Sequence, residues 1–337
     1  MVKLSVLMTA YNTENYIRQS ITSILQQGFS NFELIIIDDG STDRTVQIIE
    51  SYNDDRIKLF KLNTNHGVGY ANNLAISMAT GEYIAKVDSD DIIVHDRFQI
   101  QVNFMDENRH IDIVDSFVDY FTDDPKVLES ERYNYYKNIK SPHVNQFLDI
   151  SELSKQIYMH SIIIHGAVMA RTKNIKSVNY NINYRIAEDY DLFYKLNKRG
   201  HNFTKLPLAL TKVRVSGEST SAKLYNENFE TIFRIKSDEI SRFVLDKSKP
   251  FAIWGVGRLG VKLKELLNTR FKVKPSLFID SFPGDKKIED CIPIVKPGEV
   301  NLLDYNIIIA SSPGKLEISR KLDEEGLVFM YDYMVFT

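Results

Sequence analysis

Cysteine occurs once, at Cys291, which excludes a disulfide within the chain and fits a reducing compartment. An excess of charge of one sign is missing too. Lys and Arg number 42 against 45 Asp and Glu, a formal net charge of -3, so the chain lacks the electrostatic footprint on which nucleic-acid binding depends. No apolar run approaches the roughly 18 residues needed to cross a bilayer, and Val2 to Thr9 reads as a strand without a basic-then-apolar leader. The expectation is a cytoplasmic protein that reaches any membrane-borne substrate by peripheral contact at the inner face of the membrane. Long internal repeats and low-complexity segments are absent as well.

What is present suffices for ordinary cores: 43% of the 337 residues are hydrophobic, and that length suggests about two domains at roughly 150 residues each. The first hundred residues alternate strand and helix. Leu4 to Met8 is a strand; Ile17, Ile21, Ile24 and Leu25 fall at helical spacing, and Gly28 stops the helix. Leu34 to Ile37 is a strand buried on both faces, and Ser41 or Thr42 can cap a helix carrying Val46, Ile48 and Ile49. Ile57 to Leu62 is a third strand, Gly67-Val68-Gly69 opens another helix, and Tyr83 to Val87 follows as a strand. Right-handed crossovers between them give a doubly wound α/β sheet.

Beyond Asp106 the pattern loosens. Asp115 to Lys155 has no sustained period and is assigned only to helices and loops; its Tyr120, Tyr133, Tyr135 and Tyr136 either line an acceptor cleft or pack. Ile162 to Met169 reads as a strand, Glu188 to Arg199 as a helix, and Leu208 to Val215 as a strand closing the sheet. Phe229, Ile232, Phe233, Ile240 and Phe243 show helical spacing before Lys249-Pro250 breaks it. The expected organisation is a domain over 1–221, a helical linker over 222–248 and a small Rossmann-like α/β domain over 249–337.

Two acidic clusters carry the chemistry: Asp38-Asp39-Gly40-Ser41 after the second strand and Asp88-Ser89-Asp90-Asp91 after the fourth. Carboxylates at buried strand ends are costly to desolvate unless a cation or a hydrogen-bonding ligand meets them, and open parallel sheets bind ligands at that edge. Continued as a strand, Asp88 and Asp90 would leave on one side and address one oxygen-seeking ion such as Mg2+ or Mn2+; the bland alternative is a polar turn. Thr9, Ala10 and Tyr11 end the first strand, so three groups converge on one edge, where Tyr11 could stack on a pyrimidine and Asp39 accept its imide hydrogen.

Leu4 to Asn12, Ile37 to Asp43, Gly81-Glu82-Tyr83-Ile84 and Asp88 to Asp91 together resemble family 2 glycosyltransferases of the GT-A fold. The resemblance is dense over about the first 105 residues and thins toward Ala222. It implies a nucleotide-diphospho-sugar transferase fold with a mixed sheet and an inverting, metal-dependent hexosyltransferase. By position, Thr9, Ala10 and Tyr11 would line the base, Asp39 would bind uracil, Asp88 and Ser89 would contact the nucleotide, and Asp88 and Asp90 would hold the metal. Glu188-Asp189 resembles the family's acidic pair at a helix start, and Asp189 would take the proton from the acceptor hydroxyl; helix capping is the alternative. His165, Asp91 and Arg214 are candidate donor or acceptor contacts, with a structural histidine and a solvated edge-strand arginine as the bland readings. Two departures stand out: Asn72-Asn73 where many relatives carry arginine, and Val213-Arg214-Val215-Ser216 where many have Tyr-Arg-x-His. The implied partners are a UDP-sugar donor and a glycan or lipid-linked glycan acceptor, in bacterial surface polysaccharide synthesis.

Phe251 to Trp254 leads into Gly255-Val256-Gly257-Arg258-Leu259-Gly260, with Asp280 about twenty residues on, the dinucleotide fingerprint of a candidate second nucleotide site. The segment resembles small Rossmann-type domains appended to bacterial sugar transferases. A packing or oligomerising module remains the alternative reading. Two other functions compete with the transferase: a sugar-nucleotide oxidoreductase run from this fingerprint, and a non-catalytic nucleotide-binding scaffold.

Overall fold

Alternation along the first strand sets up the two faces of the main sheet. In the computed structural model, which describes residues 2–94, 96–217, 225–284 and 288–337, Leu4, Val6 and Met8 of β1 (Leu4–Ala10) share one core with Ile17, Ile21 and Ile24, and Leu7 points into another with Ala71 and Ala75. Helix α1 (Ile17–Leu25), β2 (Phe32–Asp38), α2 (Thr45–Glu50), β3 (Ile57–Lys61), α3 (Val68–Met78) and β4 (Tyr83–Lys86) follow in the expected order. Helix α2 begins later than the Ser41 or Thr42 cap implies. Ser41 Oγ instead accepts from Asn12 N at 2.9 Å, and Asp43 Oδ1 accepts from Thr45 N at 2.9 Å.

Strand β5 (Ile92–Ile93), α4 (Arg97–Glu107) and β6 (Ile113–Phe121) come next, then the short helices α5 (Pro125–Leu128), α6 (Glu131–Tyr135) and α7 (Ser141–Val144), and α8 (Ile150–Met159). Strand β7 (Met169–Arg171), α9 (Thr172–Lys176), α10 (Glu188–Lys198) and β8 (Phe203–Arg214) complete an eight-stranded sheet of order β3-β2-β1-β4-β7-β6-β8-β5. The first four strands in that order are parallel, and β7 and β5 run antiparallel to their neighbours. The sheet is therefore mixed, as the α/β reading requires.

Three expectations are corrected. Strand β6 occupies the start of the stretch assigned to helices and loops, because buried Asp115 and Ser116 break its apolar alternation. Asp115 is matched by Lys205 of β8 at 2.9 Å, with both side chains fully buried. Residues 162–168 are not strand: His165–Ala167 form a 3-10 turn, and pairing begins only at Met169. Strand β8 is not the edge, since β5 pairs outside it.

The chain divides into two compact units, 1–157 with 161–225, and 158–160 with 226–337. The second contains α11 (Tyr225–Ile235), α12 (Ser237–Leu245), β9 (Phe251–Trp254), α13 (Arg258–Phe271), β10 (Leu277–Ile279), β11 (Ile288–Glu289), β12 (Ile292–Val295), β13 (Asn306–Ile309), α14 (Lys315–Glu324) and β14 (Tyr333–Val335). Its sheet runs β11-β12-β10-β9-β13-β14 and is parallel apart from the β11–β12 pair. Phe229, Phe233, Ile240 and Phe243 pack in the same core as Ile253, Leu263 and Phe278. Residues 226–248 of the expected connector 222–248 thus belong to the second unit, while the boundary expected at 221/222 lies outside the described residues. Among the described residues no helix is long and apolar enough to cross a membrane.

Candidate active site

Strands β1, β2 and β4 are parallel and end together, so the segments after them meet. Thr9, Ala10 and Tyr11, Asp39, residues 65–68 before α3, and Asp88, Ser89 and Asp90 line one cleft of about 570 Å3. Tyr11 is 46% exposed, leaving its ring open to a partner. Asp39 is buried, and its two oxygens accept from His66 N and Gly67 N at 2.8 Å each. The carboxylate is thus fixed across the entrance to α3. Ile182, Tyr184 and Arg185 close the opposite wall.

Strand β4 ends at Lys86, so Asp88 to Asp91 form a turn instead of extending the strand, with Asp91 N donating to Asp88 O at 3.2 Å. Convergence survives the change of backbone. A second cavity, of about 470 Å3, shares Asp88 and Asp90 with the first and adds Asp91, His165 and Asp189. Ser20 Oγ holds the turn by donating to Ser89 O at 2.9 Å. Gly166 approaches from the other side: a Cβ there would lie 2.9 Å from Asp88 Oδ2 and 3.0 Å from Asp91 Oδ2, so a side chain would push against both carboxylates.

Charge in this turn is unevenly compensated. Burial works against the Asp88 carboxylate, yet Lys86, whose Nζ lies 2.8 Å from Asp88 Oδ1, holds it below the usual range. Asp90 is pushed up by burial and then by Asp88, and Asp91 still further by burial, Asp90 and Asp88. Carboxylates that crowd one another in this way suit an added cation. Among the described residues no group of three or more His, Cys, Asp or Glu is arranged to hold an ion.

Glu188 and Asp189 open α10, preceded by Ala187 at φ 60°, a left-handed conformation unusual for a residue with a Cβ. Burial, and next the Asp189 charge, push the Glu188 carboxyl up to about 8. Asp189 Oδ1 accepts from Tyr190 N at 2.7 Å. His165 Nε2 lies 2.7 Å from Tyr180 Oη, and burial pushes the ring below its ordinary value, keeping it neutral. Asn73 clasps the Tyr180 backbone through both amide atoms, while Asn72 is buried with its amide unpartnered beside a small cavity that Lys86 and His165 also line.

Arg214 is neither solvated nor on an edge strand. Its Nε donates to Asp90 O at 2.8 Å, its backbone N to Asp91 Oδ1 at 2.9 Å, and the guanidinium pairs with Asp123 and Gln19. It buttresses the acidic turn from behind. Lys86 and Arg97 escaped the sequence reading. Fully buried Arg97 donates to the carbonyls of Gly166 at 2.7 Å and Lys86 at 3.0 Å, tying the 3-10 turn to β4. The available signal was a cation placed in an otherwise apolar strand and helix face.

Gly255, Gly257, Gly260 and Asp280 all belong to the second unit, and none of them lines these cavities. Gly255 has φ 116°, and a Cβ on Gly260 would lie 1.9 Å from Gly255 O. Asp280 Oδ2 accepts from Val256 N and Oδ1 from Phe282 N, both at 2.9 Å. Its carboxylate is already engaged by the glycine loop.

The model of glycosyl transferase family 2 matches residues 5–176. A Haemophilus influenzae protein described as an uncharacterized glycosyltransferase is 30% identical over 246 residues, 72% of this chain and 74% of that protein. The structure of Staphylococcus aureus TarS 1–349 in complex with UDP-GlcNAc superposes with a TM-score of 0.54 at 23% identity, covering 81% of this chain and 73% of that one. The mannosyltransferase PcManGT from Pyrobaculum calidifontis, in complex with GDP-Man and Mn2+, gives a TM-score of 0.54 at 16% identity, over 71% of this chain and 64% of that one. At such identities the two structures speak for the fold, which is the GT-A arrangement.

Proposed function

The chain belongs to glycosyl transferase family 2, and from that premise we propose that it transfers a sugar, with inversion, from a UDP-sugar to a hydroxyl of a glycan or glycoconjugate. The observation that carries the reading is the pair of adjoining cavities that share Asp88 and Asp90. One offers Tyr11 and Asp39 to a base; the other offers Asp189 to an alcohol. TarS in complex with UDP-GlcNAc supports UDP as the donor nucleotide.

In this reading Tyr11 stacks on the uracil, and Asp39, already aligned by two backbone amides, accepts the imide hydrogen. Asp189 takes the proton from the acceptor hydroxyl as that oxygen attacks the anomeric carbon. Glu188, protonated at neutral pH, adds no negative charge directly beside Asp189. Lys86, Arg97 and Arg214 hold the Asp88–Asp91 turn in place. Asp88 and Asp90 fit a small divalent cation such as Mg2+ or Mn2+, which takes one or two carboxylates and completes its shell with phosphate and water oxygens. Bound there, it would neutralise charge on the departing diphosphate.

The test is metal-dependent UDP release across a panel of UDP-sugars. UDP release with Mn2+ or Mg2+ that ceases in Asp90→Ala is the expected result, and nicotinamide turnover with no UDP release would overturn the reading in favour of an oxidoreductase.

A further inference from the structure

The cavity that holds Asp189 has a second, basic end. Arg132 and Lys140, from α6 and the turn after it, line it together with Tyr120 and Tyr136. The Arg132 guanidinium carbon lies 5.6 Å from the Tyr136 ring centroid, and Lys140 Nζ lies 4.9 Å from the same centroid and 6.0 Å from that of Tyr120. Both cations are therefore held on aromatic faces instead of on carboxylates.

Two buried donors at this end have no partner among the described residues. Arg132 Nε is buried without an acceptor, and the hydroxyl of Tyr120, a residue only 1% exposed, is buried without one as well. Burial pushes the Tyr120 phenol well above its ordinary value, so its proton stays on as a donor. Leaving such groups unmatched is unfavourable, and an incoming acceptor atom would remove that cost. A neutral hydroxyl-bearing glycan calls for no cation. An anion does, and Arg with Tyr hydroxyl and Lys is a donor set suited to phosphate or carboxylate oxygens.

We propose that this end of the cavity binds an anionic group of the acceptor, a phosphodiester or a carboxylate, and so selects a negatively charged glycan for transfer. The inference rests on the reading of Asp189 as the base. It assigns the anion to the acceptor and not to the donor diphosphate because Arg132 and Lys140 line the Asp189 cavity, whereas the cleft of Tyr11 and Asp39 lies on the other side of Asp88 and Asp90.

The experiment measures binding of an oligo(glycerol phosphate), an oligogalacturonate and neutral maltohexaose to the full chain in the presence of UDP and Mn2+, with UDP affinity measured separately. At least one anionic probe should bind, more weakly as salt rises, with maltohexaose at least tenfold weaker; the probe preferred distinguishes phosphodiester from carboxylate. Arg132→Gln and Lys140→Gln should each weaken the anionic probe about tenfold and leave UDP affinity as it was. Lys140→Glu, at a half-exposed position, gives the same readout should Arg132→Gln lose its fold. Equal binding of maltohexaose, no binding of either anionic probe, or loss of UDP affinity in the variants would each overturn the proposal. Failure of the unaltered chain to bind UDP sinks the transferase reading itself, so the two failures are told apart.

Discussion

Strand ends in both units present acidic residues, yet Asp280 and the Asp88–Asp91 cluster are treated in opposite ways. In the second unit Asp280 accepts from Val256 N and Phe282 N of its own loops. In the first, Asp88, Asp90 and Asp91 crowd one another, and the latter two are pushed upward by burial and by like charge. Asp280 is satisfied by its own loops, whereas the crowded carboxylates of the first unit carry the perturbed ionisation that marks a candidate functional site. The contrast sets crowded carboxylates at one sheet edge against a hydrogen-bonded one at the other.

Substitution at the two edges should break the comparison most sharply. Asp90→Ala should lower metal-dependent UDP release by a thousandfold or more, while Asp280→Ala should leave it intact and cost only about 1 kcal/mol in unfolding of the second unit; equal losses of activity would erase the distinction. Next in size, Asp189→Asn should reduce transfer about 10²- to 10⁴-fold, the usual scope of general-base catalysis, with UDP affinity retained in a direct binding measurement.

Two glutamates of the first unit sharpen it further through pH. Glu33 is buried, which works to raise its carboxyl, yet hydrogen bonds from Lys58, Ser5 and Thr80 hold it down at about 2. A lowered value means stability that is full above about 4.5 and lost as pH falls toward 2, so Glu33→Gln should cost on the order of 2 kcal/mol at pH 7 and little at pH 2. Glu188 has the reverse sign. Raised to about 8, it makes the folded state less stable as pH climbs from about 4.5 to 8, so Glu188→Gln should raise the melting temperature by a few degrees at pH 8 and hardly at all at pH 4.5. Melting curves at the two pH values check both signs.

How much of the site could be read beforehand depended on how local its cause was. Tyr11, Asp39 and Asp88 sit directly after apolar runs, so their arrival at one edge follows from three parallel strands. His165 reads as strand because the residues flanking His165-Gly166, Ile162 to Ile164 and Ala167 to Met169, are apolar, whereas in the structure His165–Ala167 turn beside the Asp88 and Asp91 carboxylates. Arg214 looked like a solvated residue because nothing in its neighbourhood announces Asp123, Gln19 and the Asp90 carbonyl, all at least 91 positions away. Strand β6 hid behind Asp115, whose charge makes sense only beside Lys205.

By itself the sequence determined the alternation of strands and helices over the first hundred residues, the acidic turns at their ends and the family, because period, capping and turn chemistry act over a few positions. Tertiary structure alone decided which charges are matched and which are left facing a cavity. Lys205 on Asp115, Arg97 under Gly166 and Arg214 behind the acidic turn all depend on distant segments, and electrostatic compensation is a property of the distances that folding creates.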